Sequence, residues 1–494
     1  MSAGSWQSAV SSTSPKLASA MEVAMAAGAE VSRVSRRILQ KIWDPEPVND
    51  SNQPVWCLGR SYIANKKFST KAPPQSYSSS SSVTSSLILS SIPPADTAVS
   101  TSSAPVPTAV PGTNSGHSQQ QTPETPADLS ASSVESALAY GDADGTTDGG
   151  WPPAFLDDFE SRIWMTYRTG FELIPRSTDP RATSALSFSM RLKTSFGADQ
   201  AGFSSDTGWG CMIRSGQSLL ANALLISRLG REWRRGQNPK AEREILSLFA
   251  DDPRAPYSLH NFVKHGAEAC GKFPGEWFGP SATARCIQAL ANKHESELRV
   301  YSTGDLPDVY EDSFMAIANP DGQHFHPTLV LVCTRLGIDK INKVYEQALI
   351  STLQMEQSIG IAGGRPSQSH YFIGVQDQWL FYLDPHYPRP MLPYRENPED
   401  YTQEEVDSCH TRRLRHLHVE DLDPSMLIGF LIKDEDDWDT WKSAVKHVQG
   451  KAIITVSPHD PALGGTGSGR AEAIDEVETL SDDDNDDGDT VLQA

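Results

Sequence analysis

The chain has 494 residues, a formal net charge of −21 and 38% hydrophobic residues, and no apolar run in it reaches the roughly 18 residues of a membrane span. The acidic balance disfavours a phosphate-binding surface, so nucleic acid is not an expected partner. Six cysteines (Cys57, Cys211, Cys270, Cys286, Cys333 and Cys409) are too sparse for a disulfide scaffold and form no CxxC pair, which points to a reducing compartment.

Residues 1–29 form an Ala-rich arm broken by acidic side chains such as Glu22, so it lacks the apolar centre of a signal peptide and reads as disordered or a short helix. Residues 30–68 include the aromatic stretch PVWCLGRSY (54–62) and read as the first part of a folded domain. Residues 69–150 read as a disordered insertion. Between positions 71 and 150, 37 of 80 residues are Ser, Thr or Pro, too few apolar groups to offset the chain entropy of folding. Such an insertion costs a domain little in loop closure.

Residues 151–456 carry the main periodic patterns. Phe155, Phe159, Ile163 and Trp164 recur at helical spacing and predict a helix ending near Tyr167. The row CMIRSGQSLLANALLISRL, starting at Cys211, predicts a long helix stopped by Gly230. Ser281 reads as the N-cap of a third. The stretches 328–333, 371–375 and 379–383 are then short and β-branched or aromatic, so they read as strands, the last two as a hairpin. Helices followed by strands give an α+β class. Residues 457–494 read as a disordered tail, whose last 25 positions hold ten acidic residues and one basic, a net −9.

Two motifs carry chemistry. In SDTGWGCMIRSGQS, Cys211 follows Gly-Trp-Gly and opens the long helix, where free backbone N–H groups and the helix dipole favour a thiolate. A buried cysteine at a helix start is the plainer reading of that motif alone. In Asp384-Pro385-His386, side chains two apart on extended backbone point the same way, so the carboxylate can hold the imidazole while the far ring nitrogen faces a nucleophile. By itself this motif reads more readily as a turn. Together they supply the nucleophile, base and orienting acid of cysteine acyl transfer.

Taken with YFIGVQDQWLFYLDPH (371–386), PVWCLGRSY and GEWFGP (275–280), these motifs resemble the autophagy cysteine peptidases, the autophagins. The resemblance implies a papain-like fold with a small additional subdomain. It implies cleavage of a ubiquitin-like autophagy modifier after a C-terminal glycine, and later release of the modifier from phosphatidylethanolamine. By motif it gives Cys211 as nucleophile, His386 as base and Asp384 as its orienter, with the Tyr167 hydroxyl helping to hold the oxyanion. Trp277 would cover the cleft, and the segment 360–366, with Gly363, Gly364 and Pro366, would be a mobile loop lifted by substrate. A core aromatic at Tyr167 and an ordinary glycine-rich turn at 360–366 are the alternatives. The implied partners are the modifier precursor and its lipid conjugate, with peripheral membrane contact through the latter. The resemblance implies a cytoplasmic enzyme, transiently at the pre-autophagosomal structure, with the nucleus as a second compartment. It implies no metal or other cofactor.

Two rival functions fit the same motifs: a peptidase for another ubiquitin-like modifier, and a non-catalytic module that only holds one. Three further features stand apart. His324-Phe325-His326 lacks a second ligand pair for a metal. Phe314 to Ile317, after Glu311-Asp312, resembles a short modifier-binding motif but sits in a folded region. Ser481, before three aspartates, reads as a candidate acidophilic kinase site.

Overall fold

The strand Ser425–Ile432 is buried at every position but its first, the pattern of a strand covered on both faces. It lies inside a nine-stranded sheet in the computed structural model, which describes residues 46–63, 148–186, 201–294, 297–364 and 368–461. These fall in one compact unit, made from the chain on both sides of Lys66–Leu129. The arm 1–29, nearly all of the 69–150 insertion and the tail from 462 onward, with Ser481, lie outside the described residues.

In chain order the strands and main helices are β1 (Val55–Cys57), β2 (Arg60–Tyr62), α1 (Pro153–Glu160), β3 (Arg168–Pro175), β4 (Gly202–Ser205), α2 (Cys211–Leu229), α3 (Pro280–Lys293), β5 (Arg299–Ser302), β6 (Asp308–Tyr310), α4 (Glu311–Ala318), β7 (Thr328–Arg335), α5 (Glu346–Gln354), β8 (Ser358–Gly363), β9 (His370–Gln376), β10 (Trp379–Leu383), β11 (Arg389–Pro390), β12 (His416–His418), β13 (Ser425–Ile432), α6 (Glu435–Lys446) and β14 (Thr455–Ser457). The sheet runs β12-β10-β9-β8-β13-β7-β5, with β1 added to β9 and β2 to β1. Its pairings are antiparallel except β5 with β7, so the chain is α+β.

Alternation along β13 divides the core. Leu427 and Leu431 join the apolar cluster that includes α2 and α3, whereas Met426, Ile428, Phe430 and Ile432 join the one that includes α4, α5 and α6. The first face carries the site. The hairpin β1–β2 turns through Leu58 and Gly59 at φ 38° and 78°, and Trp56 and Cys57 register with Val375 and Gly374 of β9.

Four expectations are corrected. The helix α1 stops at Glu160, well short of Tyr167, because the next N–H groups have tertiary acceptors: Ile163 bonds the Asn222 side chain at 2.9 Å, Trp164 the Cys409 carbonyl at 2.8 Å and Met165 the Ser218 hydroxyl at 2.9 Å. Ser281 is not the cap of α3; Gly279 takes that place, with Pro280 pre-set for the first helical position. Strands β3 and β4 precede α2, so helices do not simply come first. Finally, 360–366 is not one loop. Residues up to Gly363 belong to β8, buried throughout, and Gly364 begins the connection at φ 141°.

Candidate active site

Cys211 is placed by one buried carboxylate. Asp206 accepts the Arg168 N–H at 2.6 Å and Arg214 Nε–H at 2.6 Å, while its carbonyl accepts the N–H groups of Trp209 and Gly210. Arg214 also reaches Asp251, at 2.8 Å, so the guanidinium is flanked by two acids. The turn before α2 therefore winds around Asp206, and glycine is required at the cap: a Cβ on Gly210 would lie 2.5 Å from Asp206 Oδ2. Cys211, at the first helical position, is fully buried. The N–H groups of that first turn have no intrahelical acceptor.

His386 arrives from the end of β10. Its Nδ1 lies 2.6 Å from Asp384 Oδ1, which also accepts the His386 backbone N–H at 3.0 Å. The Asp384 carbonyl accepts the Trp164 indole N–H at 2.7 Å, and the Pro385 carbonyl accepts the Tyr167 N–H at 2.8 Å. Asp384-Pro385-His386 is thus stitched to the segment that carries Tyr167. The Tyr167 and His386 rings meet edge to face at 5.4 Å between centroids.

The buried polar atoms without a hydrogen-bond partner among the described residues include three at the candidate site: His386 Nε2, the Tyr167 hydroxyl oxygen and Trp277 Nε1. Buried groups of this kind are normally satisfied, and the first two flank the Cys211 sulfur. Cys211 is close enough to perturb the ionisation of both. Burial opposes charge on His386, but the Asp384 hydrogen bond and the Cys211 sulfur outweigh it and hold the imidazole up at about 9. For Asp384, burial pulls the other way and is overcome by His386, His370 and Arg415, which keep the carboxyl down at about 2. Burial, then Cys211, push the Tyr167 hydroxyl well above its usual range, so it stays a donor. An imidazolium beside a thiol at a helix N-terminus stabilises a thiolate, the nucleophilic form.

Two neighbours were not among the candidates. His370 opens β9, 3.9 Å from Asp384 Oδ1. Because Leu383 registers with Tyr371, the hairpin already sets His370 opposite Asp384, a signal legible in the strand spacing. Arg415 bonds Asp384 Oδ2 at 2.5 Å and has no local motif to announce it.

The remaining candidates divide. Trp277 packs half-buried against the core shared with α2, just before α3. Gly363 ends β8 opposite His370, and Gly364 follows; Pro366 lies outside the described residues. Among the described residues, His370, Asp384 and His386 are the one group with metal-ligand spacing, but both carboxylate oxygens are already engaged, by His386 and Arg415. Phe314 is fully buried and stacks on Trp438 at 4.0 Å, so it is core and not a binding motif. His324 bonds Asp321.

This constellation is the one that cysteine peptidase chemistry requires: nucleophile at a helix start, imidazole, orienting carboxylate. Residues 152–444 match the family described as the Peptidase C54 catalytic domain. The chain is 74% identical to the probable cysteine protease ATG4 of Chaetomium globosum, covering 96% of this chain and 100% of that protein. It is 66% identical to cysteine protease 1 of Neurospora crassa, with 99% and 97% covered, and 61% identical to cysteine protease ATG4 of Pyricularia oryzae, with 96% and 100% covered. The chain belongs to the peptidase C54 family, the cysteine proteases of autophagy.

Proposed function

We propose that this protein cleaves a ubiquitin-like autophagy modifier after a glycine near its C-terminus, and removes the same glycine from phosphatidylethanolamine. Cys211 Sγ attacks the glycine carbonyl carbon, forming a C–S bond. The developing oxyanion takes hydrogen bonds from the Tyr167 hydroxyl and the Cys211 N–H. His386 passes its Nε2 proton to the leaving amine, either a peptide nitrogen or the ethanolamine nitrogen of the lipid. Water, deprotonated by His386, then hydrolyses the thioester. The observation that carries this reading is the buried, unpartnered Nε2 of His386 beside Cys211, with Asp384 fixing the opposite nitrogen.

Full burial of Cys211 supports the choice of glycine. A carbonyl can reach Sγ only through a narrow opening, which favours a residue without a side chain. Trp277 is the covering element in this reading. The catalytic domain is a papain-like fold with a small subdomain, split by the 69–150 insertion and followed by the acidic tail. The enzyme acts in the cytoplasm and at the site of autophagosome assembly, meeting membranes through its lipidated substrate; a nuclear pool belongs to the same proposal.

The test is to present several ubiquitin-like precursors with Gly-X tails to the full chain and weigh the products. Release of a new C-terminal glycine from the autophagy modifier supports the proposal; selective cleavage of another modifier moves the enzyme to that substrate, and binding without cleavage removes the catalytic reading.

A further inference from the structure

Asp384 carries a second charged contact that a nucleophile–base–acid triad does not demand. Its Oδ1 accepts the His386 Nδ1–H and its Oδ2 accepts Arg415 Nη1–H at 2.5 Å. We propose that Arg415 is a positioning residue of the catalytic site, which fixes the Asp384 carboxylate and limits how strongly it holds the His386 imidazolium. The inference rests on Cys211, His386 and Asp384 being the triad.

The guanidinium is itself held in place. Its Nη2 bonds the Tyr387 hydroxyl, its carbon sits 5.1 Å from the Tyr387 ring centroid, and the Arg415 carbonyl accepts the Tyr382 N–H of β10 at 3.0 Å. With one oxygen bound on each side, the carboxylate plane cannot turn. Asp384 is only 8% exposed, so an oxygen left unpaired there would carry a desolvation cost.

Charge matters as much as position. The titratable and charged groups around His386 are Asp384 on its own segment, Cys211 of α2, Tyr167 before β3, His370 of β9, and Arg415 before β12. Burial, reinforced by the cations of His386 and Arg415, outweighs the pull of Asp384 and holds His370 down at about 4, so it is neutral at working pH. The permanent positive charge on this carboxylate is therefore that of Arg415. A cation bonded to the anion offsets part of its pull on the imidazolium.

These roles predict opposite signs. Deleting the guanidinium frees the carboxylate, which slows the reaction, and also removes a cation, which raises the His386 pKa. An arginine with a merely structural role would give the reverse shift, because a displaced carboxylate weakens the Asp384–His386 bond and lowers that pKa.

The readout is carboxymethylation of Cys211 by iodoacetate across pH in the full chain, with Cys211→Ser as blank. The reaction forms the Sγ–CH2 bond, expels iodide and needs no modifier, so it stands apart from failure of the substrate proposal. Iodoacetate is an anion drawn to the imidazolium, and its alkaline limb reports loss of that proton. In Arg415→Met the limb moves up by about half to one pH unit, while cleavage of the precursor falls about ten- to a hundredfold. Arg415→Lys keeps the charge, so its limb stays in place while cleavage falls at least about threefold for loss of the rigid fork. A limb that stays or falls in a folded Arg415→Met protein overturns the proposal. If that variant does not fold, Arg415→Lys decides alone: a displaced limb or an unchanged cleavage rate overturns it.

Discussion

The Nδ1 of His386 lies 2.6 Å from Asp384 Oδ1, while the other ring nitrogen is buried beside Cys211 with no hydrogen-bond partner. One side of the imidazole is fixed and the other is left for reaction. That asymmetry keeps the Nδ1–H bonded to Asp384 in both charge states, so the proton that leaves and returns is the one on Nε2.

The first consequence concerns pH. With the His386 pKa at about 9, activity falls as pH rises through that value and the imidazolium is lost. Replacing Asp384 by Asn removes the anion that supports the charge, so the alkaline limb moves down and cleavage falls by a factor on the order of 10³ or more. A pH–kcat/KM series checks both. Stability follows the same signs. The raised His386 pKa contributes stability in full below about 6.5, and this is lost as pH rises towards about 9. The depressed Asp384 pKa contributes above about 3.8 and is lost as pH falls towards about 2. Melting temperatures of wild type minus His386→Ala, measured from pH 6 to 10, should therefore narrow towards the alkaline end.

Tyr167→Phe separates catalysis from folding. The hydroxyl is buried against Cys211, and its removal leaves the packing of the ring in place, so the melting temperature should change little. If the hydroxyl donates to the oxyanion, kcat falls about 10²- to 10³-fold with KM little changed. A variant with unaltered kcat removes Tyr167 from the chemistry.

Gly210→Ala tests the turn that aims Cys211. The new methyl would sit 2.5 Å from Asp206 Oδ2 and 2.9 Å from its Cγ, and the carboxylate cannot retreat while it holds the Arg168 N–H and Arg214. Overpacking of this kind costs about 1–3 kcal/mol, to be read from denaturant midpoints, and displacement of the thiol should lower kcat/KM about tenfold or more. Wild-type values on both counts would show that the turn yields.

What could be read from sequence was local. Cys211 after Gly-Trp-Gly, and Asp384 two residues before His386, place chemistry within single motifs, and the hairpin of β9 and β10 follows from aromatic and β-branched runs. What could not be read depends on distant partners. The early stop of α1 is set by Asn222, Cys409 and Ser218, and the anchoring of Asp384 by Arg415 joins segments 31 positions apart. Residues 358–363 escaped for another reason: a strand buried on both faces and rich in glycine and alanine shows no alternation, so it resembles a loop.

The central claim is that Cys211 is the nucleophile that releases a modifier's C-terminal glycine, and intact mass spectrometry tests it most directly. A ubiquitin-like autophagy modifier precursor with a Gly-X tail is incubated with the wild-type chain and with Cys211→Ala. Wild type should yield a product ending in that glycine, with a transient adduct on Cys211 at short times, while Cys211→Ala should fold, bind the precursor and leave it whole. A Cys211→Ala protein that still trims the tail would contradict the account.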